Sequence, residues 1–211
     1  MEQMAFPIPF SPDLRREDFL IAASNVEAVR WIEELERSRF HALFIYGDSG
    51  CGKTHLAHIF SDELVPASEI AQTDFSSFGK KIVIEDVDEN TNEEALFHLY
   101  NFAQETGRFL LLTGTHIPQF SLPDLSSRMQ ATMHVKINPP DDDMLCYLLV
   151  KGFNDRHILV APEVIEYVIK NIERSYQAVQ SFLERADRLS LEMKRGITIP
   201  VVKLILEEEK A

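Results

Sequence analysis

Eight consecutive residues carry the plainest chemistry in the chain: "GDSGCGKT", residues 47–54. Glycines at the first and sixth places, then a lysine and a hydroxyl, give the G-x-x-x-x-G-K-[ST] spacing of a phosphate-gripping loop, the Walker A pattern. Glycine lets the backbone turn sharply, so that successive N–H groups point inward and surround an anion. A helix that starts at the loop adds its positive end. Gly47, Asp48, Ser49, Gly50, Cys51 and Gly52 would form the cradle, with the Asp48 carboxylate turned away from the phosphates. Lys53 is placed to reach the outer phosphates, the Thr54 hydroxyl to hold Mg²⁺, and His55 to open the next turn. The expected ligand is ATP or ADP with Mg²⁺.

A second constellation supports the first. "KKIVIED", residues 80–86, is an apolar run that ends in Glu85 and Asp86, with Asp88 just beyond. Acids leaving a buried strand beside a phosphate loop bind Mg²⁺ and polarise a water, the Walker B role. Here Glu85 takes the metal-side slot and Asp86 the water-side slot, whereas the usual order is Asp then Glu or Asp, so either acid remains a candidate for the metal. "RFLLLTGT", residues 108–115, ends in hydroxyls. Thr113 or Thr115 would sense a γ-phosphate from there.

These groups need a scaffold that brings strand ends together. "ALFIY" at 42–46 reads as a buried strand running into the loop, and residues 53–60 as the helix after it. The runs at 80–86, 108–115 and 134–137 read as further buried strands, with a short one near Leu64 and Val65. Ser24 with Glu27, and Thr91 with Glu94, have capping-box spacing and predict helix starts. The second helix would carry Ala95, Leu96, Leu99, Phe102 and Ala103 inward. Short strands alternating with helices predict an α/β fold with a parallel sheet covered on both faces. At "NPPDDD", residues 138–143, two prolines stop the pattern and three aspartates suit a helix N-terminus. Everything after reads as helices, the last capped by Thr198.

Composition excludes several classes. The net charge is −13, from 21 basic and 34 acidic residues. A domain that reads DNA concentrates Lys and Arg to neutralise phosphates, so sequence-specific DNA binding is not the expected task. No run is apolar enough to span a bilayer, and the N-terminus lacks the charge and length of a secretory signal. Two cysteines, Cys51 and Cys146, suit a reducing cytoplasm. His55 and His58 lack the intervening glutamate of a metalloprotease helix.

Four stretches together resemble the DnaA branch of the AAA+ ATPases: "GKTHLAH" at 52–58, "EDFLIAASN" at 17–25, "LPDLSSR" at 122–128 and "GITIPVVKLIL" at 196–206. The resemblance covers nearly the whole chain after residue 13 and implies a P-loop AAA+ αβα core with strand order 5-1-4-3-2, followed by a small helical lid. On that basis residues 1–12 are an appended peptide, 13–137 the nucleotide-binding core and 138–211 the lid. Phe19 falls in the segment that covers the adenine in that branch. Arg128 takes the place of an arginine finger. The lid arginine that faces nucleotide in this branch, sensor 2, is replaced by Gln177, which carries no charge to phosphate. Arg174, three residues earlier, would share its helix face and is the candidate substitute.

Within the branch, the chain resembles regulators of the Hda/HdaA type more than initiators. The span from Thr54 to Glu85 is 85 − 54 = 31 residues, too short for the initiators' DNA-contacting insertion, and the chain ends where their DNA-reading domain would begin. "QMAFPI", residues 3–8, is similar to the peptide by which such regulators dock on the sliding clamp, with Met4, Phe6 and Ile8 as apolar anchors and Gln3 as a directional hydrogen bonder. The resemblance implies a regulator that, with the clamp β subunit, stimulates hydrolysis of DnaA-bound ATP, with Arg128 supplied in trans. It also implies assembly of copies through AAA+ interfaces and residence in the bacterial cytoplasm. The rival expectations are a clamp-loader-like or helicase-loader-like ATPase working through its own hydrolysis, or a truncated initiator.

Overall fold

"ALFIY" is apolar on both faces, and in the computed structural model it becomes the central strand β1, Ala42–Tyr46. The structure describes Arg16, residues 19–193 and residues 196–208. Four more strands complete one parallel sheet: β2 (Leu64–Pro66), β3 (Lys81–Glu85), β4 (Phe109–Gly114) and β5 (Met133–Lys136). Their order across the sheet is β2-β3-β4-β1-β5, the expected 5-1-4-3-2 seen from the other edge. The αβα core with the strand order expected from the sequence is therefore present.

Period-2 alternation sorts the strand side chains into two cores. Leu43 and Ile45 of β1, Val83 of β3 and Leu111 of β4 bury against helices α1 (Val26–Glu34) and α2 (Lys53–Phe60). Phe44, Ile82, Ile84, Leu110 and Leu112 face the other way, against α3 (Glu93–Glu105) and α4 (Pro123–Ala131). With both faces covered, the strands have no polar face, which is why they read as continuous apolar runs. Between α2 and β3 there is only β2 and two short 3₁₀ turns, Ala67–Gln72 and Phe75–Ser77.

A third core gathers residues from 145 to 206 only. It joins four helices: α5 (Asp142–Asp155), α6 (Pro162–Asn171), α7 (Tyr176–Met193) and α8 (Ile199–Glu208). Leu145, Leu149, Phe153, Val168, Phe182, Ala186, Val202 and Ile205 are its most buried members. Asp141 caps α5 by accepting from the Met144 amide at 2.9 Å, and Asp142 and Asp143 follow in the first turn, as "PPDDD" predicts.

Two capping boxes expected from spacing do not form. At α3 the cap is Asn92, which accepts from the Ala95 amide at 3.0 Å. Thr91 is held instead by the turn before it, its Oγ1 accepting from the Asp88 amide at 3.0 Å. At α1 the N-cap position is Asn25, with no side-chain cap. Asn25 turns backward: its Oδ1 accepts from the Ala22 amide at 2.9 Å and its Nδ2 donates to the Leu20 carbonyl at 2.8 Å. Tertiary and turn partners outcompeted the local box in both places. No helix among the described residues is long and apolar enough to cross a membrane.

Candidate functional site

The loop after β1 is built where glycine is obligatory. A Cβ on Gly47 would stand 2.8 Å from the Ile137 carbonyl oxygen. Gly52 has φ +96, and a Cβ there would stand 3.0 Å from the Phe19 ring; Gly50 has φ +77. The positive φ values belong to glycine, and the close approach lets Phe19 lie directly on the loop. Phe19 also meets the His55 ring edge-on, centroids 5.0 Å apart. Cys51 is buried beneath the loop, and burial pushes its thiol pKa up.

Lys53 starts α2 and is only 8% exposed. Its Nζ donates to the Gly47 carbonyl at 2.8 Å and the Asp48 carbonyl at 3.0 Å, and lies 3.8 Å from Cys51 Sγ. Among the described residues it has no carboxylate partner. A buried ammonium held only by carbonyl dipoles is incompletely compensated. Among the described residues the Ser49, Gly50 and Gly52 amides also make no backbone hydrogen bond. Amides without partners around a buried cation at a helix start fit a polyphosphate. Asp48 is exposed, as the loop chemistry requires, and Thr54 is exposed in the first turn of α2.

Three strand ends converge beside the loop. The Gly47 amide donates to the Gly114 carbonyl at 3.2 Å, tying the loop to the end of β4. Gly114 is wedged: a Cβ would stand 2.7 Å from the Val87 carbonyl oxygen and 3.0 Å from Phe44. Glu85 ends β3 half-buried, and Asp86 follows with φ 57. A left-handed conformation is uncommon outside glycine, though Asp tolerates it better than most residues. It is held by Thr113, whose Oγ1 accepts from the Asp86 amide at 3.3 Å and whose carbonyl accepts from Val87 at 2.8 Å. The two hydroxyls that sequence left open are thus separated. Thr113 is buried and holds the acidic turn, while Thr115 is exposed beyond Gly114.

Spacing gave no hint of two further residues here. His116 Nδ1 lies 2.9 Å from Thr115 Oγ1, and His116 Nε2 lies 2.5 Å from Glu89 Oε1. The loops leaving β3 and β4 are joined through that ring.

The lid contributes the start of α7. A Cβ on Gly50 would stand 3.5 Å from Tyr176 Cβ, 3.7 Å from Gln180 Oε1 and 3.8 Å from the Gln177 amide nitrogen. The backbone of Gln177, the residue expected at the sensor 2 position, therefore lies near Gly50, while its side chain donates to Ser181 Oγ at 3.5 Å. Arg174 does not share a helix face with it, because α7 begins at Tyr176 and Arg174 lies in the bend before it. The Arg174 guanidinium pairs with Asp142 at the start of α5, which raises its pKa.

Arg128 lies in the last turn of α4, which leads directly into the start of β5. Its guanidinium sits 6.0 Å from the Tyr100 ring centroid, and Tyr100 meets His41 edge-on at 4.8 Å. His41 immediately precedes β1 and the phosphate loop immediately follows it. Arg128 and the loop are thus at opposite ends of a five-residue strand, about 16 Å apart at strand rise. Among the described residues Arg128 makes no ion pair. The clamp-docking residues expected at Gln3, Met4, Phe6 and Ile8 lie outside the described residues.

Known proteins agree with this architecture. Residues 142–206 match the family described as "Hda, lid domain". The chromosomal replication initiator protein DnaA of Thermomicrobium roseum is 25% identical over 238 residues, covering 95% of this chain and 51% of that protein. The chain therefore spans about half the length of that relative. Domain III of the Thermotoga maritima replication initiation protein DnaA superposes with a TM-score of 0.75 at 20% identity, covering 95% of this chain and 98% of that one. A replication initiator DnaA bound to AMPPCP and single-stranded DNA superposes with a TM-score of 0.62 at 21% identity, covering 84% and 66%. The lid match, the DnaA relative and the shared αβα core are likenesses of this chain to Hda- and DnaA-type proteins.

Proposed function

We propose that the chain is an adenine-nucleotide-binding regulator of chromosome replication that, together with the DNA sliding clamp, stimulates hydrolysis of DnaA-bound ATP. The observation that carries this reading is the placement of Arg128 at the entry end of β1, opposite its own phosphate loop, with no ion pair among the described residues. An arginine there serves no nucleotide in its own subunit and is available to a partner's. In such transfers a guanidinium stabilises charge on the phosphoryl oxygens and is worth about 10³–10⁵ in rate.

Within the chain, the amides of Ser49, Gly50 and Gly52 and the Lys53 ammonium would hold a polyphosphate, and Phe19 would cover the base side of the loop. Thr54 and either Glu85 or Asp86 would hold Mg²⁺. A bound Mg²⁺-nucleotide supplies charge neutralisation that the loop lacks. Gln177, uncharged where the resembled branch carries a lid arginine, favours retention of nucleotide as a structural part over rapid turnover. The N-terminal peptide would supply the clamp attachment, a role resting on its sequence alone. Removing residues 1–8 should then abolish retention on the clamp while leaving the melting temperature unchanged.

The deciding measurement is hydrolysis of DnaA-bound ATP with and without this protein and DNA-loaded clamp. Stimulation that needs both components supports the proposal, and equal rates refute it. A second reading, an ATPase working through its own turnover, is favoured by the Glu85–Asp86 turn held by Thr113 beside a complete loop. Fast hydrolysis by the purified chain alone would select it.

A further inference from the structure

We infer that Glu93 and Tyr100 of α3 are positioning residues for Arg128: they fasten α4 at its two ends and hold the guanidinium in one pose for a phosphoryl group on a partner. This deepens, and rests on, the finger reading above.

A helix as slight as α4 needs such fastening. It has nine residues, Pro123–Ala131, and only Leu125 and Met129 of them are buried. A helix this short depends on tertiary contacts for its stability, and two apolar side chains one turn apart fix neither its tilt nor its ends. Its N-cap position, Leu122, has no side-chain cap. The Glu93 carboxylate supplies one from α3. Its Oε1 accepts from the Ser121 amide at 3.0 Å and the Ser121 hydroxyl at 2.7 Å, and its Oε2 accepts from the Leu122 amide at 2.6 Å. These bonds hold the Glu93 carboxyl below its ordinary pKa range, so the clasp is ionised at neutral pH.

Seven residues on, two turns along the same face of α3, Tyr100 meets the other end of α4. Thr132 follows that helix; its Oγ1 donates to the Arg128 carbonyl at 3.0 Å and lies 3.2 Å from the Tyr100 hydroxyl oxygen. Tyr100 thus reaches the Arg128 backbone through one side chain, while its ring centroid lies 6.0 Å from the Arg128 guanidinium. Tyr100 is itself only 2% exposed, with His41 edge-on against it. This chemistry suits a charge that must be delivered elsewhere. A long side chain acting in trans has to give up rotamer freedom before it can meet a reacting group. A carboxylate could hold the guanidinium but would neutralise it. An aromatic face orients the cation and leaves its charge unspent.

The test is single-turnover hydrolysis of DnaA-bound ATP with the full chain and DNA-loaded clamp. Titration of the chain separates the maximal stimulated rate from the half-saturating concentration. Tyr100→Leu removes ring and hydroxyl; it should lower the maximal rate about 10- to 100-fold, the scale of a misplaced catalytic group, with the half-saturating concentration within about twofold of wild type. Y100F keeps the ring and should lower the rate about three- to tenfold, the worth of one hydrogen bond. T132V removes the whole bridge and should fall at least as far, with Y100F/T132V falling no further than T132V. E93Q keeps one acceptor for the Ser121–Leu122 turn and should resemble Y100F. In R128A, adding Y100F should change nothing further. A merely structural role would lower Tm or raise the half-saturating concentration and keep the maximal rate. That outcome overturns the inference, as does a maximal rate within twofold of wild type in both Tyr100 variants, or a further loss in Y100F/T132V. Full stimulation by R128A removes the finger itself and takes this inference with it. Should Tyr100→Leu melt early, Y100F and T132V decide the question.

Discussion

The hydroxyl oxygens of Ser24 and Tyr176 lie 3.1 Å apart in a buried contact between residues 152 positions apart. Ser24 closes the segment that carries Phe19 onto Gly52, and Tyr176 begins the lid helix that covers Gly50. One hydrogen bond therefore joins the two segments that lean on the phosphate loop. Burial holds the Tyr176 pKa above its ordinary value, with the Ser24 bond opposing that shift.

Tyr176→Phe should cost about 1 kcal/mol, because a buried hydroxyl loses its partner. For a chain of this length that lowers Tm by roughly 2–4 °C. Differential scanning calorimetry would check it. An unchanged Tm in both ligand-free and nucleotide-saturated protein would mean that the bond does not couple lid to linker.

Lys53→Met should abolish the rise in Tm that saturating nucleotide gives the wild type. The ligand-free Tm should move little, since the substitution removes a buried ammonium that only carbonyl dipoles compensate. A variant that is still stabilised by nucleotide would remove the loop assignment.

Arg128→Ala should leave nucleotide affinity within about twofold, because the residue lies a full strand length from the loop. It should reduce stimulation of DnaA-bound ATP hydrolysis by about 10³-fold or more. Single-turnover hydrolysis with DnaA and loaded clamp would read both effects. Full stimulation by the variant would exclude the finger role.

Stability should fall between pH 7 and pH 5, ahead of ordinary acid denaturation. Burial lowers the pKa of both His41 and His134, and Arg128 lowers that of His41 further. Each leaves Nε2 buried without a partner among the described residues. For a group depressed on folding, the unfolded chain binds more protons. Its stabilising contribution is complete above the unfolded value, about 6.5, and is lost as pH falls through the folded value. Glu36, Glu89 and Glu93 are also held low, by Lys81, His116 and Ser121 respectively, but they act only below the ordinary glutamate range of about 4.3. Chemical denaturation at several pH values should show the upper step flattened in His41→Phe, which keeps the ring against Tyr100.

What was legible in the sequence followed from period and from motif. The strands, their order by resemblance and the loop helix at Lys53–Phe60 were readable because both sheet faces are covered and the loop must join a strand to a helix. The caps at α1 and α3 were misplaced, because Ser24 and Thr91 found partners that no local pattern encodes: a tyrosine in the lid and an aspartate in a turn. Arg174 looked like a sensor 2 substitute only while its helix was drawn too long. Glu89 and His116 were invisible for another reason. They are 27 residues apart, and only the parallel pairing of β3 with β4 brings their loops together. Tyr100, fully buried beneath Arg128, was likewise absent from the expected inner face of α3.

The position of Arg128 has a last consequence. With an arginine at the entry of β1 and the glycine loop at its exit, the molecule has a head and a tail, and neither can satisfy the other within one copy. If Arg128 reaches a neighbour's loop as proposed above, any row of such molecules, alone or mixed with relatives of like build, would run in a single direction. An open row leaves one arginine idle at one extremity and one cradle unattended at the other.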